Sequence, residues 1–422
     1  MLGVGREGPL GLTAATTRDG VRRPAAAGLS ERDALIVLST VEGLGPLTLA
    51  RLIARIGAAR GVLDVAARRG GAAALVVASR TEDGTVRAMP LVVAQAVADT
   101  ASTPGRVLAR LGRSGLAIVT VEDPEYPPRL RAIELPPHVL FVRGDPDALR
   151  SRYAVAIVGT RRPSEAGRLV AARIAGALSA VGAVVVSGLA VGIDGAAHAA
   201  VVARGGPTVA VLGGGHERLF PAGHARLADA IVAAGGALVS ELPPDSEPVR
   251  GTFPRRNRVI SGLSQATVVV EAGASSGALI TTSWALEQGR ECFVVPGSID
   301  SPASAGCLAF LREFAGQARI VAGIPQLVAD LEIDDVPVGA GEAVLAAPIQ
   351  AVLGALGHGP RSIAAELVNG RTTADELVAA TGLPIAGVLA ALTLLESRGL
   401  VVGVYGRYRP VGQLAVALDE VR

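Results

Sequence analysis

The sequence predicts an α/β fold: a Rossmann-like, doubly wound parallel sheet flanked by an N-terminal helical domain and a C-terminal winged helix. Three observations predict it. Between residues 113 and 330, short β-branched runs alternate with helical stretches. The runs are apolar throughout, the pattern of parallel strands covered on both faces. Nearly every run also ends in glycine-rich sequence, as βα turns do.

Residues 1–28 hold Gly, Ala, Thr and Arg without periodicity and read as a disordered tail. From 29 to 112 the pattern is helical. Ser30 is placed to cap a helix, with Asp33 three residues on, ahead of Ala34-Leu35-Ile36-Val37-Leu38. Val41-Glu42-Gly43-Leu44-Gly45-Pro46 then turns into a second amphipathic run, Leu47 to Ile56. Helix, Gly-x-Gly turn, helix is the shape of a helix-hairpin-helix or SAM-like domain, and its glycines free backbone N–H groups where a phosphate can sit. An ordinary helical turn with a glycine cap fits the same residues. Predicted strands follow at Ala154–Val158, Ala183–Val186, Thr208–Leu212, Ala237–Val239, Thr267–Val270 and Cys292–Val295, with helices starting near Ser164, Ile193, Ala222 and Gly277. An acidic, glycine-containing stretch over 331–346 reads as a linker. Over 347–422, Thr373 caps a helix, Thr381-Gly382-Leu383-Pro384 makes a tight turn, Ile385 to Arg398 forms the next helix, and two short strands close a winged helix. The recognition-helix candidate has no cation before Arg398, so protein contact suits it at least as well as DNA contact.

Composition removes whole classes of chemistry. All 40 basic residues are arginine and none is lysine, which excludes a P-loop and Schiff-base or pyridoxal chemistry. Two cysteines without a Cys-x-x-Cys and five scattered histidines leave no disulfide framework and no metal site. The stretch Ile174–Ala203 is apolar enough to mimic a membrane span, but Gly182, Gly188, Gly192, Asp194, Gly195 and His198 break it into strand, turn and helix. With no signal-peptide pattern either, a cytoplasmic protein without membrane contact is expected. The first strand lacks Gly-x-Gly-x-x-Gly and a following acidic residue, so no dinucleotide, and no other cofactor, is expected.

In open α/β sheets ligands bind beyond the carboxyl ends of the strands. The candidate DNA-binding residues lie there: Gly159, Thr160 and Arg161 after the first strand, Ser187, Gly188, Gly192 and Asp194 after the second, Gly213 and Gly214 after the third. The densest cation cluster, Phe253-Pro254-Arg255-Arg256-Asn257-Arg258, reads as a segment just before another strand. Arginine forks match phosphate oxygens, and an amide can bond a backbone or a base edge. An arginine that pairs with Asp194, Glu241 or Glu271 instead holds loops in place, and Arg258 is the first candidate for that role. Ser275, Ser276 and Gly277 open a helix whose N-terminus can hold an anion. They also complete Gly273-Ala274-Ser275-Ser276-Gly277, a Gly-x-Ser-x-Gly match; the only later histidine, His358, lies beyond the linker, so no triad and no catalytic residue is assigned. Aromatic residues are 3% of the chain, too few for a base-stacking platform, so binding is expected to rest on phosphates.

Several of these segments, in order, carry a resemblance. Tyr126-Pro127-Pro128-Arg129-Leu130, Val158-Gly159-Thr160-Arg161, Ser187 to Asp194, Phe253 to Leu263, Glu271 to Leu279 and Val295-Pro296-Gly297 resemble the DNA-processing protein A family (DprA, also called Smf) from about Tyr126 to Ala315. The resemblance implies a non-enzymatic mediator that binds single-stranded DNA entering the cell in natural transformation, loads the recombinase RecA, and forms a homodimer through its Rossmann-like domain. The chain departs from the family where Leu308 replaces an asparagine and Phe314 a glycine. Two other readings stand beside this one. A phosphoribohydrolase-like nucleotide enzyme would need a carboxylate in the first turn after Gly277, and none occurs before Glu287. A DNA-bridging dimer without recombinase contact has no distinguishing motif.

Overall fold

The computed structural model describes residues 28–80, 87–333, 357–404, 406–410 and 414. The predicted tail up to residue 27 and the predicted linker beyond residue 333 lie outside them. The chain divides into two compact units, Met1–Val336 and Pro337–Arg422.

The first unit opens with six helices: α1 (Glu31–Ser39), α2 (Pro46–Ile56), α3 (Ala59–Ala66), α4 (Gly71–Ala78), α5 (Leu91–Ala101) and α6 (Pro104–Gly112). Ser30 caps α1 as its position implies, its hydroxyl accepting from the Asp33 amide at 3.0 Å. Proline at the first position starts α2, where the missing N–H is no loss. Leu35, Leu38, Leu52, Leu63, Ala94 and Val97 form one core with Val139 and Phe141 of the neighbouring sheet.

That sheet has nine strands: β1 (Ala117–Thr120), β2 (Val139–Gly144), β3 (Ala154–Val158), β4 (Val184–Ser187), β5 (Thr208–Val211), β6 (Ala237–Ser240), β7 (Ala266–Val269), β8 (Glu291–Val294) and β9 (Ala318–Ile320). Their order is β1-β2-β6-β5-β4-β3-β7-β8-β9. From β6 to β9 every pairing is parallel, with Ala156 opposite Thr267 and Val186 opposite Val209. The sequence reading of a purely parallel sheet is corrected at one edge, where β2 runs antiparallel to β6 and β1 antiparallel to β2. The antiparallel pair meets the helical region, so it needs no crossover helix of its own.

Between the strands lie α7 (Pro128–Arg131), α8 (Glu165–Ala180), α9 (Ile193–Val202), α10 (Ala225–Ala233), α11 (Thr252–Leu263), α12 (Gly277–Glu287), α13 (Ala305–Glu313) and α14 (Ile324–Asp330). Alternate residues of β3 face opposite layers. Ala154, Ala156 and Val158 pack with Val259, Ile260 and Leu263 of α11, and Val155 and Ile157 with Ile174 and Leu178 of α8 and Ala197 of α9. The apolar stretch Ile174–Ala203 thus becomes the end of α8, β4 and α9, and no single described helix is long and apolar enough to cross a membrane. From β3 the chain winds outward through β4, β5 and β6, then returns to β7 on the other side of β3. The topological switch point is therefore between β3 and β7.

The second unit holds α15 (His358–Val368), α16 (Ala374–Thr381), α17 (Ile385–Ser397) and an antiparallel ribbon of β10 (Val401–Val404) with β11 (Arg407–Pro410). Thr373 and Glu376 form a reciprocal capping box on α16. Leu367, Leu377, Val388, Leu392, Leu395 and Leu400 make its core.

Candidate nucleic-acid interface

A cleft of about 790 Å³ opens at the carboxyl ends of β3 and β7. Its walls are the loop after β3 (Gly159, Thr160, Arg161), the loop leading into α12 (Gly273, Ser275, Ser276, Gly277) and the first turns of α11 (Phe253, Pro254, Arg256, Asn257). Backbone bonds fix the first wall. Thr160 N–H donates to Glu271 O at 2.7 Å, and Ile193 N–H donates to Thr160 O at 3.3 Å. Gly192 sits at φ +93°, and a Cβ there would lie 2.4 Å from Thr160 O, so only glycine lets α9 start this close to the loop.

The cation cluster lies just before a strand, β7, as read from sequence, and Phe253 to Arg258 are the start of a twelve-residue helix, α11. A helix spreads consecutive side chains around its axis, so the arginines diverge. Arg255 is exposed on the far side, where its guanidinium comes within 3.8 Å of a Cβ built on Gly45. Arg256 is buried at 6% exposure beneath the cleft, donating through Nη1 to Gly188 O (2.7 Å) and to Val211 O. Arg258 is buried at 4% exposure and paired with Glu241, and it donates to Leu135 O at 2.6 Å. Of the four arginines named from sequence, Arg256 and Arg258 therefore point into the protein and present no guanidinium to a ligand in this arrangement.

The buried charges are matched locally. Asp194 accepts from the amides of Gly188 (3.1 Å) and Ala190 (3.4 Å). Burial pushes its carboxyl above the usual range, opposed by Arg256 and those amides. Burial likewise lowers Arg256 to about 10, with Asp194 opposing and Arg161 reinforcing the shift. Glu271 is buried too and accepts from the Ser164 amide at 2.8 Å at the start of α8. Asp194 is thus the only carboxylate among the described residues lining the cleft, and its Oδ2 is engaged by two backbone amides.

Ser187, Gly188, Gly213 and Gly214 lie behind the walls and are buried. Ser187 donates to Ile157 O at 2.6 Å. A Cβ on Gly188 would meet the Arg256 guanidinium at 2.3 Å, one on Gly213 the Phe253 ring at 2.6 Å, and one on Gly214 Pro248 at 3.0 Å. These positions shape the walls without lining the cleft. Asn257 lines it and donates to Gly277 O at 3.2 Å, tying α11 to the start of α12. Ser276 caps α12, its hydroxyl accepting from the Ala278 amide at 3.3 Å. Ser275 is exposed, and no histidine is among the described residues lining the cleft beside it.

Among the lining residues that escaped the sequence reading, two bear on binding. Arg250 is exposed and, like Arg161, has no carboxylate partner among the described residues. Extending the cation cluster one turn upstream of Phe253 would have found it. Phe220, after β5, is half exposed and stands 5.6 Å from Phe253, ring centre to ring centre. Its only signal was an aromatic in the turn beyond the glycine-rich end of β5. The Arg161 guanidinium lies over the Phe253 ring at 5.5 Å.

The arrangement offers two unpaired guanidinium groups, the open N-terminus of α12 and an aromatic pair around a concave surface. Comparison with known proteins gives a consistent result. Residues 117–332 match the family described as DNA recombination-mediator protein A. The chain is 41% identical to the DNA processing protein DprA of Bacillus subtilis over 210 residues, covering 50% of this chain and 70% of that protein. It is 38% identical over 318 residues to a putative DNA processing protein DprA of Mycobacterium tuberculosis, covering 72% of this chain and 79% of the relative. The solved DprA structure from Streptococcus pneumoniae shares 29% identity and superposes with a TM-score of 0.58 over 72% of this chain and 98% of that one.

Proposed function

This chain belongs to the DNA recombination-mediator protein A family, and from that premise we propose that it is a non-enzymatic single-stranded-DNA-binding mediator that protects incoming DNA and loads RecA during natural transformation. The observation that carries the binding reading is the cleft at the β3–β7 switch point. Arg161 and Arg250 stand without a carboxylate partner on it, the first turn of α12 opens into it, and the one carboxylate among its described lining residues is buried and accepts two backbone amides. Such a surface favours phosphates and carries few groups that read base edges, so binding tolerates sequence. A concave cleft admits a flexible single strand more readily than a rigid duplex.

The non-enzymatic part of the proposal rests on Ser275, which has no histidine beside it among the described residues lining the cleft. In the second unit, three helices followed by an antiparallel ribbon agree with a winged helix. The α1–α2 turn agrees with a helix-hairpin-helix, and dimerisation through the sheet domain completes the proposal. The test is titration of labelled single- and double-stranded oligonucleotides, followed by RecA filament assembly on strands coated with single-strand-binding protein. Tight single-strand binding, weak duplex binding and faster filament growth are expected. Equal affinity for both forms, or no effect on filament growth, contradicts the respective half of the proposal.

A further inference from the structure

We propose that Phe220 is a base-stacking residue of the cleft, one that confers preference for strands with unpaired bases; the inference rests on the single-strand reading above. Composition alone argued against stacking, because the chain has only six phenylalanines. The fold nevertheless brings two of them, 33 positions apart, to one wall. Their rings meet at 5.6 Å and 58°, a tilted contact in the favourable range for aromatic pairs.

The two rings are not equivalent. Phe253 is hemmed in, with the Arg161 guanidinium over its ring at 5.5 Å, the Gly213 backbone too close for any Cβ, and Phe220 beside it. Phe220 is half exposed while lining the cleft. A scattered exposed aromatic on a convex surface needs no explanation. This one is concave-facing, supported from behind by a second ring, and shares its cleft with Arg161 and Arg250. Arg161, held over Phe253, can take the phosphate next to a base laid on Phe220. In a duplex the bases are stacked on each other and paired, so the ring gains nothing; in a single strand every base has a free face.

The test separates stacking from charge and from folding. Full-length wild type, Phe220→Ala, Phe220→Trp and Arg161→Ala are titrated with an oligothymidylate and with an abasic strand of equal length. Wild type should prefer the base-bearing strand. Phe220→Ala should bind it roughly 5- to 100-fold more weakly, with the abasic strand and the salt dependence unchanged. Phe220→Trp should restore binding, while Arg161→Ala should weaken both strands alike. Thermal melts of Phe220→Ala should match wild type, because half the ring is already in water. If wild type binds the two strands equally, or Phe220→Ala lowers both alike, the stacking role is overturned while single-strand binding stands. If wild type binds no single strand, the function reading itself fails.

Discussion

At the residue scale, exposure sorts arginines that look alike in sequence. Arg161 is in water with no carboxylate partner, so Arg161→Ala should reduce affinity and leave the melting temperature unchanged. Arg256 and Arg258 hold backbone carbonyls and, for Arg258, the buried carboxylate of Glu241. Arg258→Met strands that carboxylate and should cost about 3–5 kcal/mol of stability in urea unfolding, with affinity falling only as folding fails. His198 gives a pH signature. The single hydrogen of the Thr208 hydroxyl goes to Val185 O at 2.6 Å, so that oxygen accepts from His198 Nδ1–H at 2.8 Å, and Nε2 is buried without a partner. Burial, with His224 and Arg256 nearby, lowers its pKa from 6.5 to about 3. The unfolded chain therefore takes up a proton below 6.5 that the native state refuses until about 3. Stability should be complete above that window and fall through it as pH drops, by up to about 1.4 kcal/mol per unit. Urea unfolding of wild type and His198→Asn from about pH 7 to 5 checks this, the variant showing the shallower loss.

At the element scale, the parallel core of the sheet was legible because each strand is an apolar β-branched run ended by glycine. β1, β2 and β9 were missed: residues 117–119 and 139–142 are apolar, but neither run stands in the alternation of strand, glycine turn and helix by which the parallel strands were read, and β9 is only three residues long. The cation cluster was found as a segment before a strand, with no conformation assigned to it. Proline is at home in a helix's first turn, and Val259, Ile260 and Leu263 supply the buried face. The helix spreads the arginines around its axis, leaving Arg256 and Arg258 buried and Arg255 exposed on the far side. Phe220 was illegible for another reason: its meaning depends on Phe253, a contact set by the fold. The packing behind the wall makes its own prediction. Gly213→Ala should push Phe253, and Arg161 with it, out of position, lowering single-strand affinity at little change in secondary structure by circular dichroism.

At the scale of the whole molecule, every described residue lining the cleft belongs to the first unit. A chain ending at Val336 should keep its single-strand affinity, and a large loss in a folded truncation would give the second unit a direct part in binding. The charge count sets the most direct test of all. With Arg256 and Arg258 turned inward and Arg255 on the far side, the unpaired cations lining the cleft are Arg161 and Arg250. Two neutralised phosphates give a log–log slope of affinity against salt of roughly −1.4 on single strands, where four arginines would give roughly −3. The decisive measurement is that slope for wild type and Arg161→Ala on one oligothymidylate. The predicted result is roughly −1.4 for wild type, reduced in magnitude by about 0.7 in a fully folded variant. A slope near zero, or a folded Arg161→Ala with wild-type affinity and slope, would contradict a phosphate-binding cleft at the β3–β7 switch point.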